Sequence, residues 1–157
     1  MENKGFQIYP IGAVKRQTEQ ISIELNPSHH PALGGLDQFS HVIVYWWAEQ
    51  YDTEDYRATT VVPLPYANNQ EAGVFSCRAP VRPNLIMSTV CEILEINQEQ
   101  GIIKIKNIDA FDGTPIIDLK AYLPIMDRVT DVKVPDYLRE WPEAVPAEGI
   151  GLFEDEQ

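Results

Sequence analysis

Arg78 and Arg82 stand four residues apart in the stretch Gly73-Val74-Phe75-Ser76-Cys77-Arg78-Ala79-Pro80-Val81-Arg82-Pro83-Asn84, each followed closely by a proline. Proline fixes φ, so the loop is stiff. A stiff loop can aim two guanidinium groups at one carboxylate or phosphate, the bidentate capture that arginine suits. Structural ion pairing in an acid-rich chain would explain the same two arginines equally well. A second stretch runs Asp109-Ala110-Phe111-Asp112-Gly113-Thr114-Pro115 and on through Asp118 to Pro124. Asp112-Gly113 is a turn in which glycine can supply a positive φ. Bare backbone amides and carbonyls beside Asp112 could read the polar edge of an adenine or a ribose, and a plain hairpin turn accounts for the same residues. Asp118 sits between Ile117 and Leu119 in an expected strand. A half-buried carboxylate there needs a partner, and Arg78, Arg82 or Lys120 could provide it.

Other chemistries find less support. His29 and His30, with Asp37 and His41, have an irregular spacing, so no metal site is assigned. Cys77 and Cys91 do not form a CxxC pair. Cys91 reads as a packed strand residue, while Cys77 lies inside the arginine loop. There is no Gly-rich phosphate loop, GxSxG elbow or HExxH motif.

These residues need a scaffold, and the patterning is that of strands. Phe6–Val14 predicts a first strand, bent at Pro10. Ile21, Ile23 and Leu25 alternate with Ser22 and Glu24, the period-2 signature of a half-buried strand. Residues 26–31 read as a loop, and Gly34-Gly35 as a tight turn. Val42–Ala48 is a continuous apolar run, expected at the centre of the sheet or at a subunit contact, with Trp46 and Trp47 pointing to opposite faces. Thr59–Leu64 is a further strand, Ser88–Ile96 and Gly101–Ile108 form a hairpin, and Ile116–Leu119 is a short strand leaving the Asp-Gly turn. The best helix is expected over Pro135–Trp141, with Pro135 at its first position and Pro142 ending it. About seven short strands at this spacing predict a mostly β fold, a barrel or a sandwich.

At 157 residues the chain fits one domain, and 44% hydrophobic residues are ample for a core. No apolar run approaches the roughly 18–20 residues of a membrane helix. The start, Met1-Glu2-Asn3-Lys4, lacks the pattern of a signal peptide, so a cytoplasmic protein with no membrane partner is expected. The net charge of −12 argues against a broadly basic nucleic-acid surface. Much of the acid lies in the tail, at Glu140, Glu143, Glu148, Glu154, Asp155 and Glu156, which can stand away from the site.

Together, Gly73–Asn84, Leu36-Asp37-Gln38-Phe39-Ser40-His41 and Asp112–Pro124 resemble the TsaA-like or TrmO family, in order and over most of the chain. The resemblance implies a small single-domain β-barrel with a few short helices over residues 1–135, followed by a C-terminal helix and acidic tail over residues 136–157. It implies an S-adenosylmethionine-dependent methyltransferase, with the exocyclic amine of threonylcarbamoyl-adenosine in tRNA as acceptor and a homodimer holding the donor near its interface. Carried over by position, Arg78 matches the arginine of the family's G-V-F-x-x-R stretch, and Asp112, Gly113, Thr114 and Pro115 match its D-G-T-P turn; these would contact the donor. Arg16 and Gln17, Glu49 and Gln50, and Val90 fall at further donor-contacting positions. Arg82 and Asn84 open the R-P-N-P-I-G stretch and are assigned to the substrate. Glu49 and Asp118 are the candidate proton acceptors. The chain departs from the family pattern at Leu85 and Met87, where proline and glycine are usual, and at Glu49, where histidine is usual. With the acidic charge these departures disfavour tRNA and leave two alternatives open: methylation of a small molecule, or a non-enzymatic barrel that binds a nucleoside-like ligand.

Overall fold

Strand β3, His41–Trp47, shows how the barrel is specified. Val42, Val44 and Trp46 are buried and alternate with half-buried Ile43, Tyr45 and Trp47, so one face of an apolar run fills the interior and the other lies outside. In the computed structural model, which describes residues 4–156, β3 is flanked on both sides. The other strands are β1 (Gly12–Gln17), β2 (Gln20–Leu25), β4 (Val61–Leu64), β5 (Gln70–Gly73), β6 (Ile86–Asn97), β7 (Ile102–Ile105) and β8 (Pro115–Ala121). Six of them close an antiparallel barrel in the order β1-β2-β7-β6-β3-β8, and β4-β5 form a separate two-stranded sheet. Closure abolishes the exposed sheet edges that an open six-stranded sheet would leave. Val14, Ile23, Val42, Val44, Cys91, Ile103, Ile105 and Ile116 fill the interior. Among the described residues no helix is long and apolar enough to cross a membrane.

The two tryptophans part as their positions require. Trp46 points inward and its Nε1 donates to Thr89 Oγ1 at 3.1 Å. Trp47 points outward, donates to Asp52 Oδ2 at 3.1 Å and lies under the Arg57 guanidinium, 5.3 Å from the ring centre. Arg57 belongs to α1, Glu54–Ala58, whose N-cap Thr53 accepts from the Tyr56 amide at 3.2 Å. A second short helix, α2 (Pro124–Asp127), follows the barrel.

Several expectations are corrected. The first strand begins at Gly12, not Phe6, because sheet pairing starts where Gly12 meets Leu25 and Ile116; Phe6 and Tyr9 stay exposed before Pro10. Residues 27–33 form a 3-10 helix with Pro27 in its first turn, not a loop, because Leu33 is buried against the core. Pro135–Trp141 is not an α-helix: only Asp136–Leu138 makes a single 3-10 turn, and Tyr137 and Trp141 are held instead by ring contacts to Tyr66, at 6.2 and 5.1 Å. Part of the tail packs on the barrel, since a side chain added at Gly151 would lie 2.4 Å from Asn107 Nδ2, while Glu140, Glu143, Glu148, Glu154, Asp155 and Glu156 are all exposed, as expected of an acidic tail. Met1, Glu2 and Asn3 at the start, and Gln157 of the tail, lie outside the described residues.

Candidate functional site at one end of the barrel

Antiparallel closure sorts the strand ends into two rims. The end of β1, the end of β3, the start of β6 and the start of β8 share one rim. Arg16 and Gln17, Glu49 and Gln50, Asn84, and Asp112–Pro115 sit at these ends, so topology gathers residues spread over a hundred positions of sequence.

The arginine loop is a built structure. Val74 and Cys77 are buried and anchor it, Cys77 against Leu64 and Ala67 of the small sheet region. Between them Val74–Ser76 makes one 3-10 turn that leaves Phe75 86% exposed. Arg82 turns inward: its guanidinium donates to the carbonyls of Val74 and, at 3.2 Å, of Cys77. Arg57 reaches the Pro83 carbonyl at 3.3 Å. Arg78 points the other way and donates to Ser88 O and Oγ at 2.9 and 2.8 Å, on the outer face of β6. Phe75, Cys77, Arg78, Arg82, Pro83 and Asn84 line an open cavity of about 340 Å³. Asp118 does not partner either arginine.

The glycine turn is fixed to β1. Gly113 N donates to Val14 O at 2.8 Å and Val14 N to Thr114 O at 2.9 Å. The Arg16 amide donates to Asp112 Oδ1 at 2.7 Å. Gly113 has φ +79°, and nothing lies within 4 Å of where its side chain would be, so the turn presents bare backbone to open space. The Arg16 guanidinium donates to Ala110 O at 2.8 Å and to Ile108 O. Burial there pulls its pKa down, opposed by the charges of Asp112 and Asp109. Beneath the turn a polar chain crosses the interior, from Trp46 Nε1 to Thr89 and from the Thr89 hydroxyl to Asp109 Oδ1. The Cys91 thiol, on the same inner face, is pushed up to about 12 by burial, with Asp109 adding to the shift. It is neutral at physiological pH and packs the core.

Within one chain the cavity at the arginine loop is not lined by the glycine turn. Ser88, which carries Arg78, pairs with Tyr45 of β3, and Ile116 of β8 pairs with Trp46 on the other side of that strand. Two inter-strand spacings, about 10 Å, separate them. Val90 lies half-buried on the outer face of β6 opposite Ile43. Glu49 and Gln50 are exposed in the 3-10 turn Glu49–Tyr51 that follows β3. Asp118 is not half-buried as its neighbours implied: its side chain is 58% exposed, with Lys120 Nζ at 3.9 Å. It lines a different groove, of about 720 Å³, between β8, Leu25 and the segment 29–39. Leu85 and Met87 face the core, 0% and 6% exposed, and do not line the arginine cavity. His29 and His41 bond the adjacent Ser28 and Ser40, while both ring nitrogens of His30 face the carbonyls of Glu99 and Leu25. No group of three or more potential metal ligands exists among the described residues.

Sequence reasoning missed Asp52 and Arg57, which with Trp47 buttress Pro83. Thr53 followed by two acids was the readable helix-start signal that would have placed Arg57.

The family model described as the tRNA-methyltransferase O N-terminal domain matches residues 4–128. A probable S-adenosyl-L-methionine-binding protein of Archaeoglobus fulgidus is 36% identical over 116 residues, which is 74% of this chain and 30% of that protein. A protein of the same description from Methanothermobacter thermautotrophicus is 30% identical over 81% of this chain and 97% of its own length. The tRNA (adenine(37)-N6)-methyltransferase of Escherichia coli is 30% identical over 87% of this chain, which spans 56% of it. Among solved structures, TrmO from Pseudomonas aeruginosa superposes with TM-score 0.65 at 28% identity, covering 84% of this chain and 62% of that one.

Proposed function

The chain belongs to the tRNA-methyltransferase O N-terminal-domain family, and on that premise we propose that it transfers a methyl group from S-adenosylmethionine to the exocyclic amine of an adenosine in tRNA. The observation that carries the reading is Arg78, a guanidinium fixed on Ser88 in a cavity at the rim that also bears the bare Asp112-Gly113-Thr114-Pro115 turn. These groups fit the donor: a guanidinium suits its carboxylate, and open backbone at Gly113 suits the polar edges of its nucleoside. S-adenosylmethionine would supply an electrophilic methyl on a sulfonium. The chain's part is positioning, since in-line displacement at carbon rewards a near-attack geometry. With the donor bound, the acceptor amine would take its methyl group as the carbon–sulfur bond broke, and would have to give up one proton. Glu49, exposed at the end of β3, is the proposed acceptor of that proton.

The reading extends to the adenosine beside the anticodon in its threonylcarbamoyl form, to a cytoplasmic site of action and to a homodimer. The dimer is favoured because two donor-facing segments lie on either side of β3 and the Asp112–Pro115 turn does not line the cavity at Arg78. The net charge of −12 favours the second reading, a small-molecule acceptor. Leu85 and Met87 lend that second reading no weight, because they are core residues.

Titration calorimetry with S-adenosylmethionine tests the donor. We expect saturable heat, and Arg78→Ala should weaken binding about 10- to 150-fold, the ~1.5–3 kcal/mol of a hydrogen bond to a charged group. No heat and no thermal shift at millimolar donor would sink both transferase readings.

A further inference from the structure

Phe75 is the anomaly of the rim. Its backbone is fixed on both sides: Val74 N donates to Thr60 O at 3.0 Å, Ser76 Oγ to Gly73 O at 2.9 Å, and Arg82 clamps the carbonyls of Val74 and Cys77. The ring at the top of this clamped turn is nevertheless 86% exposed and forfeits the burial that normally stabilises a phenyl group. It lines one open cleft with Arg78 and Asn84. A phenyl ring with an open π face, an arginine and an asparagine lining one cleft match a flat heteroaromatic group with polar edges. We propose that Phe75 is the platform on which the acceptor base stacks, that base being an adenine turned out of a single-stranded RNA loop, with Asn84 facing its edge. This rests on the transferase reading above, which requires the acceptor to stand beside the donor; Phe75 and Arg78 line the same cavity. Stacking is sequence-tolerant, and the ring makes its contribution without a charge, alongside whatever phosphate contacts the RNA adds. A stacking contact is therefore compatible with a chain whose net charge is −12.

The test uses the full chain and an RNA hairpin carrying 2-aminopurine, a fluorescent adenine analogue, in its loop. Stacking on Phe75 should change the probe's fluorescence on binding. Phe75→Leu keeps an apolar side chain but removes the π face; we expect the fluorescence change to vanish and affinity to fall about 5- to 150-fold. Phe75→Trp should restore both, and donor heat measured on the same variants reports whether the cavity still folds. The proposal is overturned if the wild-type chain does not perturb the probe, if Phe75→Leu behaves like wild type, or if Phe75→Leu instead turns a dimer into a monomer in sedimentation, which would make the ring a contact between copies. Donor heat without a probe response defeats only the stacking platform. A probe response without donor heat defeats only the transferase reading.

Discussion

A carboxylate acts as a proton acceptor only where an acceptor group can reach it. Asp118 and Glu49 part on that criterion. Asp118 is three residues down β8 from Pro115, against a groove bounded by Leu25 and Leu33, with Lys120 beside it. Glu49 is at the rim itself, one position beyond Ala48, whose amide is fixed to Leu85 O at 3.0 Å. We therefore expect Glu49→Gln to lower kcat for methyl transfer by about 10²–10⁴, the usual worth of general base catalysis, with donor affinity retained. Asp118→Asn should leave kcat within about twofold, with pre-steady-state transfer assays giving both numbers. Equal losses from the two variants would remove Glu49 from the role. Arg82 adds a second lesson: residue type and spacing mark it for substrate capture, and one of its guanidinium nitrogens, Nη2, already donates to two backbone carbonyls while the residue lines the cavity. Spacing reports which side chains are near each other and not whether the backbone has already claimed them.

At the scale of elements, the legible parts were those whose pattern and environment agree. β2 stands out because burial of Ile23 and Leu25 demands alternating apolar residues, and β3 because it is a continuous apolar run between two neighbouring strands. β5, Gln70–Gly73, carries no such signal: it is polar, exposed and paired only with β4, and its signature was the pair Asn68 and Asn69, both at positive φ, which turn the chain. The Asp112 turn was legible, but its fastening was not. Arg16 holds it through contacts ninety residues distant in sequence, to Ala110 and Ile108, while its own amide serves Asp112. Replacing Arg16 by methionine keeps that amide and deletes the guanidinium. We expect a stability loss of about 1.5–3 kcal/mol, the worth of a hydrogen bond to a charged group. Amide exchange should accelerate across 108–115 while β3 and β6 stay protected, and donor affinity should fall with the turn's order. Uniform loss of protection through the barrel would make Arg16 an ordinary core support and not a fastener of the site.

For the whole molecule, charge and assembly pull against each other. Each copy carries −12, so a dimer would bring together −24, twice that value. Its partner surface must recover this cost in apolar area, and the outer face of β6-β3-β8 offers Ile43, Ile86 and Val90 at half-buried or exposed positions near Ser88, which carries Arg78, with exposed Leu94 further along β6. Screening decides the balance: the Debye length falls from about 30 Å at 0.01 M salt to about 8 Å at 0.15 M. Dimerisation should therefore tighten as salt rises, opposite to the weakening that phosphate contacts with RNA would show. If donor-facing groups from two copies complete each site, donor heat must also disappear on dilution into the monomer range at low salt and return when salt is added back. Sedimentation and calorimetry across one salt series check both halves. Donor binding that persists unchanged in a demonstrated monomer would mean that Arg78 and the Asp112–Pro115 turn do not need a partner, and that one of the two does not touch the donor.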